Sequence, residues 1–147
     1  MRPEPTLSTI GYEGATLDAV LGTLQAAGVE LLVDVRAVAA SRRPGFSKRQ
    51  LAAGLESVGI GYLHLRSLGT PAEGRQAARA GRHDELRRVY EAHLATAGAR
   101  EGLAELEALV AEGRRRVCLL CFERDAGGCH RSMVAEWLGV SVTHLTP

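Results

Sequence analysis

The chain has 147 residues, of which 46% are hydrophobic, and a net charge of +1 at pH 7. This length suits one domain, and this composition permits a buried core. No apolar run reaches the roughly 18 residues that a membrane helix needs, and the first residues lack the apolar stretch of a secretion signal. We therefore expect a single cytoplasmic domain over residues 1–147 with no membrane partner. A net charge near zero gives no general attraction to nucleic acid.

Strand patterns alternate with helical patterns along the chain. A strand over 7–11 is followed by a helix that starts at Leu17 and stops at Gly28, and by a second strand over 29–35. These three elements predict a βαβ unit. The next helix begins at Ser47, where Gln50 has the spacing of a capping box, and it ends before Gly59.

The second half of the chain continues the alternation. A strand over 60–65 precedes residues 66–82, whose low apolar content predicts a flexible loop. Further helices are expected around 86–93, 103–110 and 133–138, with strands over 116–122 and 140–145. This pattern predicts an α/β fold: a single domain, core about 7–145, with a mostly parallel sheet of about five strands and helices on both faces.

Polar residues follow each predicted strand. In a parallel sheet, ligands bind outside the carboxyl ends of the strands, so these residues are candidates for one shared crevice. They are Tyr12 and Glu13, Asp34 and Arg36, Tyr62 and His64, and Cys121, Glu123 and Arg124.

The stretch CFERDAGGCHRS, residues 121–132, concentrates reactive groups. Cys129 follows two glycines and precedes a helix, where exposed N–H groups, His130 and Arg131 would lower the pKa of a thiol. Cys121 ends a strand at the crevice and is a second candidate nucleophile. Cys118 lies in the middle of the same strand and is expected to be a core residue.

Three cysteines at unequal spacing are not typical of a disulfide framework, so we expect reduced thiols. Cys121, Cys129 and His130 are zinc-type ligands, but neither a C-x2-C nor a H-x3-H pair is present. No cofactor is predicted, and zinc remains the alternative. A redox pair between Cys121 and Cys129 is geometrically possible across a gap of seven residues and is a minor alternative, since no C-x-x-C motif supports it.

Charged residues supply candidate binding and proton-transfer groups. Asp34 and Arg36 point to the same side of a strand and can pair with each other or with a substrate. Arg42 lies in a basic segment that is either an anion clamp or a solvated loop. Glu13 and Glu123 are candidate general acid and base groups if burial raises a pKa. The run 114–116 of arginines is expected to be exposed.

Four motifs, TIGYEG, DVR followed by SRRPGFSK, GI-x-Y-x-H-x3-LG and LLCFERDAGGCHR, resemble the bacterial domain of unknown function 488 (DUF488) family over residues 7–138. The resemblance implies site positions but no reaction. These positions are Gly11, Asp34, Arg36, Ser41, Arg42, Tyr62, His64, Gly69, Cys121, Glu123, Cys129, His130 and Arg131. LLVDVR and RSMVAEWL show a weaker similarity to rhodanese-like and cysteine-phosphatase-like active sites, although Cys121 precedes Arg131 by ten positions and Cys129 by two.

These observations predict an enzyme for cysteine-dependent transfer of a sulfur or phosphoryl group. Cys129 or Cys121 would be the nucleophile, and Glu123 or Glu13 would move protons. The substrate would be small, anionic and phosphate-bearing. Its candidate contacts are Asp34, Arg36, Ser41, Arg42, Tyr12, Tyr62, His64, His130 and Arg131.

Two alternatives use the same residues. A nucleotide or nucleic-acid binding module would place the arginines on phosphates and stack Tyr12, Tyr62 or Phe46 on bases. A metal-binding protein would use the Cys121, Cys129 and His130 cluster.

Overall fold

Five parallel strands form the central layer of the computed structural model, which describes residues 6–147. The strand order is β3-β2-β4-β1-β5, and every neighbouring pair is parallel. The strands are β1 (Thr6–Gly11), β2 (Leu31–Asp34), β3 (Gly61–His64), β4 (Val117–Cys121) and β5 (Ser141–Leu145). The predicted α/β class with a five-stranded sheet is confirmed.

Helices cover both faces of this sheet. They are α1 (Leu17–Ala26), α2 (Lys48–Ser57), α3 (Ala72–Arg79), α4 (His83–Leu94), α5 (Ala97–Glu112) and α6 (His130–Leu138), with short 3-10 turns at Arg66–Leu68 and Ala126–Gly128. Within residues 6–147, no helix combines the length and apolar character needed to cross a bilayer.

Alternate residues of β4 face two separate cores. Cys118 and Leu120 pack with α1 and α2, whereas Leu119 and Cys121 pack with α4, α5 and α6. Cys118 is fully buried, as expected, and burial raises the pKa of its thiol to about 12. A strand buried on both faces explains the unbroken apolar run that marks β4 in the sequence.

The first two strands are parallel but are not neighbours, because β4 lies between them. Val117 pairs with Leu7 on one side and with Leu31 on the other. The three elements of the predicted βαβ unit are therefore present, with a later strand inserted into it. This insertion places the residues that follow β4 directly between those that follow β1 and β2.

The prediction of a flexible loop over residues 66–82 is wrong for most of that segment. Residues 66–68 form a 3-10 turn and residues 72–79 form α3. Alanine, glutamate, glutamine and arginine favour helix, but Gly74 and Ala77 are its only buried residues. Such small side chains leave no apolar periodicity in the sequence, which explains why the helix was missed.

The capping box expected at the start of α2 does not form. The helix begins at Lys48 with Ser47 at the N-cap, but the Ser47 hydroxyl accepts from the Ser41 amide at 3.1 Å and donates to the Ser41 carbonyl at 3.2 Å. Gln50 accepts a hydrogen bond from the Gly45 amide instead. These bonds hold the loop between β2 and α2 in a fixed course.

Candidate functional site

A cavity of about 400 Å³ opens at the carboxyl ends of the central strands. This is the edge at which parallel α/β sheets bind ligands. Seven predicted site residues line it: Tyr12, Arg36, Ser41, Cys121, Glu123, Cys129 and His130. The other lining residues are Ala37, Val38, Ala40, Thr70, Arg75, Ala78, Arg79, Leu86 and Phe122.

A disulfide between Cys121 and Cys129 lies in the wall of this cavity. The two sulfur atoms are 2.00 Å apart, and both side chains are buried. The expectation of reduced thiols is wrong for these two cysteines, and the minor alternative, a pair between Cys121 and Cys129, is the one present. Asp125 explains how the chain returns over so short a gap, because its carboxylate accepts from the Gly127 amide at 2.9 Å and caps the 3-10 turn before Cys129.

His130 lies next to the sulfur pair as a neutral hydrogen-bonding group. Its Nε2 is 2.7 Å from the Val35 carbonyl, which only accepts, so Nε2 carries the proton. Its Nδ1 is left as an acceptor, 3.7 Å from Cys129 Sγ. Burial lowers the pKa of His130 to about 4, so the imidazole adds no positive charge near pH 7. When the disulfide is reduced, Nδ1 is available to accept a hydrogen bond from the Cys129 thiol.

This low pKa predicts acid sensitivity. The unfolded chain takes up the His130 proton near pH 6.5 and the folded chain only near pH 4, so the unfolded state binds more protons between these values. We expect stability to be full above pH 6.5 and to fall by about 3 kcal/mol as the pH drops to 4. Urea unfolding of the wild type and of His130→Gln across this range measures the effect.

The glutamine variant is the control because it keeps a donor for Val35 and has no titrating ring. Glu123 has the opposite influence on the pH dependence of stability. Burial raises its pKa, so the folded chain binds its proton more readily than the unfolded chain. That influence is common to both proteins and cancels in their difference. Equal pH slopes for the two proteins would contradict the assignment.

The two candidate proton-transfer carboxylates lie in different places. Glu123 lines the cavity with Oε2 3.5 Å from Cys121 Sγ, and its raised pKa suits a proton donor. Glu13 does not line the cavity, and its carboxylate accepts from the Arg124 amide at 3.0 Å. Glu13 thus holds the loop that carries Glu123.

Arg131 is fully buried beneath the cavity and does not line it. Its guanidinium donates to the Thr9 hydroxyl at 3.2 Å, the Glu123 carbonyl at 2.6 Å and the Arg124 carbonyl at 3.2 Å. No carboxylate within residues 6–147 forms an ion pair with it, and Nη1 is 3.8 Å from Cys121 Sγ. Its charge therefore favours a thiolate at Cys121 when the disulfide is reduced.

Asp34 and Arg36 form a buried bidentate ion pair. Arg36 Nε is 2.9 Å from Oδ1 and Nη2 is 2.7 Å from Oδ2, while Tyr62 donates to Oδ2 at 2.6 Å. The Arg36 Nη1 group donates to the Tyr12 hydroxyl and to the Phe46 carbonyl. The charge that Arg36 brings to the cavity is thus balanced by Asp34.

Of the remaining candidate substrate contacts, some line the cavity and others do not. Ser41 lines the cavity, whereas Arg42 is exposed and does not. Tyr62 and His64 do not line it either; His64 Nε2 lies 2.8 Å from the Arg36 carbonyl. The exposed position of residues 114–116 at the opposite edge is as expected.

Comparison with known proteins identifies the family. A family model described as "Domain of unknown function DUF488" matches residues 16–138, which include every lining residue except Tyr12. The chain belongs to the DUF488 family. No curated protein and no solved structure matches this DUF488 chain. The weaker similarity to rhodanese-like sites therefore has no support from these comparisons.

Three polar residues of the DUF488 cavity were missed from the sequence: Thr70, Arg75 and Arg79. All three belong to the segment that was expected to be a loop. The four-residue spacing of Arg75 and Arg79 is the signal that could have placed them on one helix face. Two exposed apolar residues, Val38 and Phe122, complete the rim.

The aromatic residues proposed for base stacking are engaged within the protein. The rings of Tyr12 and Phe46 stack on each other with centroids 4.4 Å apart, and both are buried. Phe122, which meets Tyr12 edge to face, is 42% exposed at the rim. Of these three rings, Phe122 is therefore the one whose surface is open for a planar ligand to stack on.

Cys121, Cys129 and His130 are the residues that could hold a metal. Their ligand atoms lie within 4.8 Å of one another. A metal binds thiolates, whereas these two sulfurs are bonded to each other. Reduction would therefore have to precede metal binding.

Proposed function

We propose that this protein is a cysteine-dependent sulfur transferase in which Cys121 is the attacking thiolate and Cys129 is the resolving thiol. The observation that carries the proposal is the placement of Cys121 Sγ in the cavity wall, bonded to Cys129 Sγ and 3.8 Å from the buried Arg131 guanidinium. A cation without an acidic partner lowers the pKa of a nearby thiol, which activates it at neutral pH.

The first step forms a persulfide. The Cys121 thiolate attacks the outer sulfur of a donor that contains a sulfur–sulfur bond. That bond breaks, its electron pair leaves with the rest of the donor, and Cys121 carries the transferred sulfur. Glu123, 3.5 Å from Cys121 Sγ and with a raised pKa, supplies a proton to the departing group where one is needed.

The second step uses the neighbouring thiol. His130 Nδ1 accepts a hydrogen bond from the Cys129 thiol, and the Cys129 sulfur attacks Cys121 Sγ while its proton passes to the outer sulfur of the persulfide. The persulfide bond breaks, and the outer sulfur leaves as hydrosulfide with that proton. The product is the Cys121–Cys129 disulfide, which a thiol reductant returns to two thiols by supplying two electrons and two protons. A phosphoryl group on cysteine would give this second thiol no comparable task, which favours sulfur over phosphoryl transfer.

Single-turnover chemistry with thiosulfate as donor tests the proposal. Reduced wild type is expected to release hydrosulfide and become the disulfide, while Cys129→Ser accumulates a persulfide and Cys121→Ser takes up no sulfur. Mass spectrometry of the intact chain measures the added sulfur. Cys118→Ala, which removes a thiol outside the cavity, is the control and should behave as the wild type.

Two outcomes would overturn the assignment of roles. Sulfur uptake by Cys121→Ser at the wild-type rate would exclude Cys121 as the nucleophile. Release of hydrosulfide by Cys129→Ser at the wild-type rate would exclude Cys129 as the resolving thiol.

A zinc site in the reduced protein is a second candidate, because the Cys121, Cys129 and His130 ligand atoms lie within 4.8 Å of one another. Two thiolates, one imidazole and an open fourth position are typical of some catalytic zinc sites. Titration of the reduced chain with zinc should then protect two thiols from labelling at a 1:1 ratio. Full labelling with zinc present would exclude this candidate.

A further inference from the structure

We infer that Thr70, Arg75 and Arg79 form an oxyanion subsite in the same cavity, which binds a tetrahedral sulfonate-like or phosphate-like group of the substrate. The inference rests on the proposed function and deepens it, because it names the group that the sulfur donor carries beside its reactive sulfur. It also moves anion binding away from Arg42 and Arg131, neither of which lines the cavity.

Thr70 provides a hydroxyl that lacks a partner. The residue is 3% exposed and lines the cavity, and its Oγ1 has no hydrogen-bond partner within residues 6–147. Buried polar atoms are almost always paired, so an unpaired hydroxyl in a cavity wall points to a ligand.

Packing fixes the position of Thr70. A Cβ on Gly69 would lie 2.2 Å from Ala37 Cα, so only glycine lets this segment approach the loop that follows β2 so closely. A Cβ on Gly74 would lie 2.2 Å from the Thr70 methyl group, so the side chain fills space that Gly74 leaves open. The hydroxyl is therefore held in place before any ligand arrives.

Arg75 and Arg79 supply the positive charge. They are four residues apart on α3, which places them on the same face of the helix, and both line the cavity. Arg75 donates from Nη1 to the Thr70 carbonyl at 2.9 Å, which links the guanidinium to the segment that carries the hydroxyl. Neither arginine forms an ion pair with a residue of the described part of the chain.

The charge balance of the cavity favours an anion. Asp34 neutralises Arg36, and Glu123 is the carboxylate among the lining residues. Burial raises the pKa of Glu123, which favours its neutral form and so weakens its electrostatic repulsion of a bound anion. Arginine forks and a hydroxyl are the donors that tetrahedral oxyanions accept. The volume of about 400 Å³ suits a small ligand.

Calorimetric titration of the oxidised chain with inorganic phosphate, and separately with sulfate, tests the subsite at constant ionic strength. We expect saturable 1:1 binding that weakens at least fivefold in Thr70→Val, Arg75→Gln and Arg79→Gln. Thr70→Ser, which keeps the hydroxyl, should restore binding. Arg49→Gln is the matched control, since Arg49 is exposed on α2 and does not line the cavity.

Thermal unfolding separates a ligand contact from a structural role. Because the Thr70 hydroxyl has no partner, Thr70→Val should unfold at the same temperature as the wild type or higher while it loses phosphate affinity. Wild-type affinity in Thr70→Val would overturn the subsite, as would an equal loss in Arg49→Gln. Absence of phosphate and sulfate binding in a chain that still releases hydrosulfide would overturn the subsite and leave the proposed sulfur chemistry standing.

Discussion

Asp34→Ala is expected to lower the free energy of unfolding by about 3–5 kcal/mol, because it leaves the buried Arg36 guanidinium without its counter-charge. Asp34 is fully buried, and Arg36 is 6% exposed. The variant also removes the acceptor of the Tyr62 hydroxyl. Guanidinium chloride unfolding measures the loss.

Arg87→Ala provides the control for this prediction. Arg87 pairs with Glu91 and Glu136, but all three side chains are at least half exposed. Ion pairs in water contribute little, so the unfolding free energy should hardly change. A loss for Asp34→Ala no larger than that of Arg87→Ala would contradict a structural role for the buried pair.

Gly11→Ala is expected to lower the free energy of unfolding by an amount comparable to that for Asp34→Ala. A Cβ at this position would lie 1.7 Å from the Glu123 carbonyl oxygen, so the loop that follows β4 would have to move. That carbonyl accepts from Arg131 at 2.6 Å, and its displacement would leave a buried charge less well satisfied. We expect a loss of about 3 kcal/mol and slower re-formation of the Cys121–Cys129 disulfide after reduction.

Gly22→Ala is the matched control for this substitution. Gly22 lies within α1, and a Cβ there would meet nothing within 4 Å. Alanine favours helix over glycine, so this variant should be stabilised by up to about 1 kcal/mol. Equal effects of the two substitutions, measured by thermal unfolding, would show that the approach to Glu123 does not constrain position 11.

The α/β architecture and part of the site could be predicted from the sequence. Apolar runs and helical periodicity mark five strands and five of the six helices, because the buried faces of these elements carry large side chains. Ligands of parallel sheets bind at the carboxyl ends of the strands, so Arg36, Cys121 and Glu123 are expected at one site, and all three line the cavity.

Other features depend on tertiary contacts that leave no local signal. The place of β4 between β1 and β2 follows from pairing across most of the chain. Helix α3 buries only small residues, so the sequence does not predict it. Arg75 and Arg79 on this helix, and Thr70 just before it, were therefore not recognised as site residues. The charge state of His130 depends on its burial, which the residue order does not reveal.

The central position of β4 also has a consequence for biosynthesis. Within residues 6–147, β1 pairs with β4 and β5 alone, and both lie in the last third of the chain, so β1 has neither partner when it leaves the ribosome. Such long-range pairing slows folding. Both edges of β1 therefore stay unpaired until residues 117–121 have been translated, and during that interval they are open to pairing with other chains.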